Sequence, residues 1–167
     1  VGGLSNEELA DVFTRWNESE LQSFLIEISA RIFRTRDPED ASGLSFLVDK
    51  VLDSSGMKGT GKWTVQDAID LSVPVPTIAS SVDARVISSD KEGRVRNSQI
   101  LRGPQPRTLD GAAKAQLIDD VRQALYCAKA CSYAQGMHLL GVASRTRGWN
   151  LPFGEISKIW RGGCIIR

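Results

Sequence analysis

The chain has 167 residues, with 21 Lys+Arg against 20 Asp+Glu and a single His, giving a formal charge of +1 and 41% hydrophobic residues. This composition fits one soluble domain with enough apolar side chains for its own core, needing neither a disulfide framework nor a structural metal. The near-neutral balance excludes a general field for nucleic acid or an anionic membrane, so any polyanion site must be local. Cys127, Cys131 and Cys164 cannot close a paired set, and one His beside a Cys-x-x-x-Cys spacing is a poor zinc constellation. No metal is expected, and the reducing cytosol is the default compartment. No window reaches the roughly 18 consecutive apolar residues of a membrane span. The opening Val1-Gly2-Gly3-Leu4-Ser5 has no signal pattern and no initiator Met, so the chain reads as an internal fragment or a processed form.

Ser5 with Glu8 and Ser19 with Gln22 have capping-box spacing, which predicts helices starting at both places. Leu9, Val12, Phe13 and Trp16 form one helical stripe, and Leu21, Phe24, Leu25, Ile28 and Ile32 form another; both read as core. Residues 35–43 are polar and broken by Pro38, and 44–52 fits a helical turn or an extended piece equally well. Gly56-Met57-Lys58-Gly59-Thr60-Gly61 is a loop, because each glycine inside a helix costs about 1 kcal/mol relative to Ala. Thr64 with Asp67 predicts the next helix, which Val73-Pro74-Val75-Pro76 stops. A fresh helix carries Ile78, Val82, Val86 and Ile87, fades near Asp90 to Gly93, and precedes a weaker stretch from Val95 to Leu101. Arg102-Gly103-Pro104-Gln105-Pro106 reads as a linker. The longest pattern runs from about Asp110, with Ala at 124, 128, 130 and 134 placing it inside a bundle. Gly136 and Gly141 could divide it and Gly148 ends it, before a last helix near Glu155 to Trp160. Strands are scarce, so the fold class is all-α.

The stretch Gly56 to Thr64 concentrates backbone freedom, two lysines and hydroxyls. Glycines let backbone N–H groups approach an anion, lysine adds a point charge, and a following helix N-terminus contributes about half a positive charge. Phosphate or carboxylate is the expected guest; the plain alternative is a turn with solvated lysines. Gly56 to Lys62 also satisfies G-x-x-x-x-G-K, but a P-loop needs Ser or Thr after that lysine and a strand before the loop, and here Trp63 follows. His138 reads as a partly covered helix residue, Cys127 and Cys131 as small hydrophobes on one helix face, Trp63 as a possible closure of the loop, and Trp149, Phe153 and Trp160 as anchors of the final helix.

Val51-Leu52-Asp53-Ser54-Ser55-Gly56-Met57-Lys58-Gly59-Thr60-Gly61-Lys62-Trp63-Thr64 resembles the signature of the 6-phosphogluconate dehydrogenase family, with Met57 where many members have Gln or Asn. Trp16 to Ile28, Ser72 to Arg85, Leu125 to Gly136 and Trp160 to Arg167 are similar to the same family, so the likeness covers essentially the whole chain. The resemblance implies that residues 1–167 are part of a C-terminal all-helical domain within an NADP-dependent oxidative decarboxylase. Such an enzyme converts 6-phosphogluconate to ribulose 5-phosphate and CO2 in the pentose phosphate pathway, as a homodimer without metal. It also implies that Lys58, Thr60 and Arg85 hold the substrate phosphate. A dianion suits an Arg fork, a Lys point charge and a hydroxyl, and charge-assisted bonds are about twice as strong as neutral ones. Taken alone, an arginine so placed at the edge of an apolar stripe is more often a snorkelling one with a solvated head.

No G-x-G-x-x-G turn occurs after a predicted strand, so the NADP-binding domain is expected to lie outside these residues. The family's general base Lys and general acid Glu accompany a His-Asn-Gly and Glu-Tyr motif, which the lone His138 does not match, so no catalytic residue is expected here. The C-terminal tail that crosses to the other subunit is likewise expected to be missing, and the chain alone is expected to be inactive. Cytosol is favoured, with a plastid as the alternative. A rival class is a non-catalytic oligomerisation module built on the Ala-rich helix.

Overall fold

The computed structural model describes residues 2–103, 105 and 109–167. Of the expected linker, Pro104 and Pro106 lie outside the described residues, and Arg102, Gly103 and Gln105 have no regular structure. The described residues form seven α-helices and no strand: α1 Asn6–Asn17, α2 Phe24–Arg34, α3 Thr60–Asp70, α4 Pro76–Ser89, α5 Lys91–Ser98, α6 Gly111–Arg147 and α7 Phe153–Ile159. They divide into two compact units. The first comprises Val1–Leu52, Gln105–Tyr126 and Ser157–Arg167, and the second Asp53–Pro104 and Cys127–Ile156.

In the first unit, α1 begins as its sequence dictates. Ser5 Oγ accepts from Glu8 N at 3.2 Å while Ser5 N donates to Glu8 Oε2 at 2.7 Å, a complete capping box. Val12 and Trp16 from this helix join Leu21 and Ile26 in a buried cluster, with Leu4, Phe13 and Ile118 packed against it. Leu21 is 2% exposed, and burying a side chain of that size contributes about 1.5–3 kcal/mol.

The second helix departs from expectation. Ser19 forms a turn, its Oγ accepting from Leu21 N at 3.3 Å, and Ser23 is the cap instead, accepting from Ile26 N at 3.3 Å. The inward face carries Ile26 and Ala30, and Leu25 and Ile32, expected in the core, are exposed. The ambiguous segment takes both forms in succession: Phe46 makes an isolated antiparallel bridge to Arg36, then Leu47–Lys50 forms one 3-10 turn. Between the bridge partners, the Asp40 carboxylate gathers Ser42 N at 3.0 Å, Ser42 Oγ at 2.8 Å, Leu44 N at 3.1 Å and Ser45 N at 2.7 Å. These donors tie the loop onto one side chain.

In the second unit, Ala68, Val73, Val75 and Leu139 form the buried cluster, with Leu71, Ile78 and Val142 against it. Proline opens α4 at its first position, where the missing N–H is not needed. Its free N–H groups are capped from afar: Gln135 Oε1 on α6 accepts from Thr77 N at 3.0 Å and Ile78 N at 3.3 Å, and Gln135 Nε2 donates to Thr77 Oγ1 at 2.9 Å. A side-chain cap of this kind contributes about 1 kcal/mol. Arg147 near the end of α6 pairs with Asp67 on α3, and this partner raises the arginine's proton affinity. Between α4 and α5, Asp90 Oδ1 accepts from Gly93 N at 2.9 Å, so α5 starts at Lys91 rather than near Val95. A Cβ at Gly93 would lie 2.0 Å from Asp90 Oδ2, which is why glycine sits inside a short helix.

Helix α6 runs undivided past Gly136 and Gly141 and ends at Gly148, whose φ is +68°. The expectation that its alanines lie inside a bundle is corrected: among the described residues, Ala124, Ala128, Ala130 and Ala134 are exposed, as are Val121, Leu125, Tyr126 and Tyr133. Cys127, Cys131 and His138 on the same helix are also exposed rather than covered. Val86 and Ile87 on α4 are 50% and 63% exposed, since the packed stripe stops at Ile78 and Val82. Trp149 is half exposed with the Arg147 guanidinium 5.0 Å from its ring centre, so it does not anchor α7 in a core.

Hydrogen bonds from Ser45 and then Ser42 hold the Asp40 carboxyl far below the usual carboxylate range. A depressed folded-state value stabilises the loop above the ordinary Asp value of about 3.9 and is lost as pH falls through the folded one. Amide-exchange protection at Ser45 is therefore expected to persist at pH about 4 and to fade only in stronger acid. In Asp40→Ala that protection should be absent at every pH.

Candidate functional site

Helix α3 starts at Thr60, four residues before the Thr64 expected from capping spacing. Gly59 is the reason. It stands at the helix entry with φ +108° and ψ −25°, a conformation that side chains disfavour, and so turns the chain directly into the helix. Gly61 and Lys62 thus lie in the first turn, and Thr64 Oγ1 donates back to Thr60 O at 2.8 Å instead of capping. A Cβ on Gly61 would meet Val82 Cγ2 at 2.9 Å, so this glycine lets α3 and α4 approach closely.

One concavity of about 330 Å³ lies between the loop and α4, lined by Lys58, Thr60 and Arg85 together with Met57, Ser81 and Val82, and also by Gly59, Gly61 and Ile78. The three residues singled out from the sequence therefore share one cavity. Arg85 is held there: its Nε donates to Gly56 O at 2.6 Å, while its backbone carbonyl accepts from Ser55 Oγ at 3.3 Å. Using Nε for the loop leaves the two terminal nitrogens of the fork for a ligand. The N-terminal N–H groups of α3 open beside Lys58 and Thr60, and with Arg85 they make the cavity attractive to an anion.

Lys62, Trp63 and Thr64 of the nine-residue motif fall away from the cavity. Lys62 is exposed on α3 and does not line the cavity, and Thr64 is turned along its own helix. Trp63 folds its ring back under Gly59, where a Cβ would meet Cζ2 at 3.0 Å, yet it remains 59% exposed and closes nothing against the core. The sequence reading missed the Gly56 carbonyl as the acceptor that fixes Arg85. It had no signal for that bond, because 29 residues separate the partners. Ser81 carried a signal: it precedes Arg85 by four on one helix face. The nucleotide P-loop gains no support, since among the described residues no strand precedes Gly56. The same residues contain no group of three His, Cys, Asp or Glu side chains able to hold a metal, and no helix long and apolar enough to cross a membrane.

The family model for the C-terminal domain of 6-phosphogluconate dehydrogenase matches residues 1–167. The chain belongs to the 6-phosphogluconate dehydrogenase family. It is 56% identical to the chloroplastic decarboxylating 6-phosphogluconate dehydrogenase 1 of Arabidopsis thaliana, over 100% of this chain and 35% of that protein. It is 53% identical to the decarboxylating enzyme of Synechocystis, over 99% of this chain and 33% of the relative. Among solved structures, Plasmodium falciparum 6-phosphogluconate dehydrogenase, studied in its apo form and in complex with NADP+ and with 6-phosphogluconate, superposes with a TM-score of 0.88 at 41% identity. That match covers 98% of this chain and 34% of the Plasmodium one. The chain thus spans about a third of the length of the relatives it matches, and the all-α fold expected from the sequence is the fold of this family's C-terminal domain.

Gly59→Ala is expected to strain the loop by about 1–2 kcal/mol, because it forces a Cβ into a left-handed position and against Trp63. Urea unfolding should show the loss, and α3 amide exchange should show its first turn fraying.

Proposed function

We propose that these residues supply the phosphate-binding end of the substrate site in an NADP-linked 6-phosphogluconate dehydrogenase (decarboxylating), with Lys58, Thr60 and Arg85 gripping the 6-phosphate. The single observation that carries this reading is the convergence of those three side chains on one cavity at a helix N-terminus. The family supplies the reaction: the relatives are named for 6-phosphogluconate dehydrogenation with decarboxylation, and the Plasmodium protein was studied with NADP+ and 6-phosphogluconate. Phosphate is remote from the carbons that react, so its grip acts by binding and orienting the substrate rather than by chemistry at the reacting centre.

The residues in hand do not fit a dinucleotide. Holding its diphosphate takes parallel strands and a Gly-rich strand-to-helix turn, and the described residues contain no strand. NADP and the proton-transfer groups are therefore assigned to other parts of the enzyme, and NADP reduction by residues 1–167 alone would overturn that assignment. For the compartment, spinach enzyme 1, whose name carries no location, and the chloroplastic Arabidopsis enzyme are both 56% identical. Cytosol is proposed on the free thiols of Cys127, Cys131 and Cys164, with the plastid as the alternative.

A second reading, an oligomerisation module, is favoured by the uncovered apolar and small residues of α6, and it is compatible with the first: a second copy covering that side would give a homodimer. The two roles separate by titration. Inorganic phosphate is expected to raise the thermal midpoint of the wild-type protein but not of Arg85→Ala, whereas self-association makes the midpoint rise with protein concentration. In the complete enzyme, Arg85→Ala is expected to raise KM for 6-phosphogluconate by roughly a hundredfold, from the loss of a charge-assisted fork, with a smaller effect on kcat. An unchanged KM would clear Arg85 of the role.

A further inference from the structure

We propose that Arg94, which lies outside the cavity, is the positioning residue that sets the spacing between the phosphate loop and Arg85, by strapping residues 53–56 onto the C-terminal half of α4. The inference rests on the phosphate reading above. From α5, Arg94 donates through Nη1 to Asp53 Oδ2 at 3.0 Å, and through Nη2 to Asp53 O at 2.6 Å and Ser88 O at 3.1 Å. One guanidinium therefore grips the loop's side chain, its backbone and the last turn of α4. The next three residues follow along the helix. Ser54 Oγ donates to Ser89 O at 3.3 Å, Ser55 Oγ donates to Arg85 O at 3.3 Å, and Gly56 O accepts from Arg85 Nε at 2.6 Å.

Among the described residues, these side-chain bonds hold the segment without an apolar anchor. Val51 and Leu52 just before it are 66% and 68% exposed, so no apolar anchor holds it, and a Cβ added to Gly56 would touch nothing within 4 Å. The two serine bonds are long and neutral, whereas the Arg94 contacts are forked and charge-assisted, about twice as strong each. Arg94 is itself fixed. Its backbone N donates to Asp90 O at 3.0 Å inside the Asp90–Gly93 cap, and its Nε is buried without a partner, so the two terminal nitrogens do all the holding. The Arg94 guanidinium beside Asp53 keeps that carboxyl below the usual carboxylate range, with Lys91 adding to the field. Taken alone, such an Arg–Asp pair at the surface contributes little stability. Its value here is geometric: with the loop tied down, Lys58 and Thr60 face Arg85 across a fixed gap, and the anion meets its donors already in place.

The test compares Arg94→Ala, Arg94→Lys, Asp53→Asn and Arg85→Ala in the full-length protein, by steady-state kinetics with 6-phosphogluconate, calorimetric titration with inorganic phosphate, and thermal midpoints. Arg94→Ala is expected to raise KM and the phosphate Kd by roughly tenfold, leaving kcat within about twofold. Arg94→Lys should recover little of this, since an ammonium cannot reach three acceptors in the geometry of the fork. A purely stabilising role predicts a lower midpoint and a lower kcat through lost folded protein, with KM and phosphate Kd unchanged, and that pattern overturns the proposal. Should Arg94→Ala not fold, wild-type KM values in both Arg94→Lys and Asp53→Asn overturn it equally. Arg85→Ala separates the two layers. If its KM rises while those of the Arg94 variants do not, only the positioning role falls; if Arg85→Ala leaves KM unchanged, the phosphate reading falls and this one with it.

Discussion

The shortest hydrogen bond between the two halves of the candidate site runs from Arg85 Nε to the Gly56 carbonyl, at 2.6 Å, with a longer one from Ser55 Oγ to Arg85 O beside it. Without the shorter bond, the guanidinium of Arg85 would be an exposed group with no tie to the glycine loop. With it, the arginine's remaining donors are aimed across the same cavity that Lys58 and Thr60 line. A lone surface arginine loses rotamer entropy each time it binds, and one fixed through Nε has already lost part of it.

The surrounding unit is arranged to keep that bond in register. Gln135 caps the start of α4, Arg147 grips Asp67 on α3, and Gly61 lets the two helices come within contact of Val82. The helix bearing Arg85 and the helix opening beside Lys58 are thus each fixed by a polar contact from α6. Their small shared core of Ala68, Val73, Val75 and Leu139 supplies the apolar packing. The site itself stays open to solvent, as a site for a charged ligand must until the ligand arrives.

Where sequence reasoning went astray, the causes are physical. Ser19 and Ser23 are both competent caps, and only the packing of Leu21 into the cluster with Trp16 selects the later one. Thr64 has good cap spacing, but the left-handed Gly59 starts the helix earlier, and a single φ value is not written in residue type. The alanines of α6 look like interior positions, yet small residues lie buried only when a neighbour covers them, and among the described residues these are exposed.

The helical class, the capping box at Ser5, the end of α6 at Gly148 and the family are all legible from residue order, because they follow from local spacing, backbone freedom and a nearly continuous motif. The family resemblance, not spacing, joined Lys58, Thr60 and Arg85 as a set. That they share one cavity, that Lys62 and Thr64 do not line it, and that Arg94 bonds to Asp53 at the start of the loop emerges from the packed helices. Those contacts join residues 29 to 41 apart in sequence, and no periodicity reaches so far: such pairs meet only once helices have packed and loops have closed.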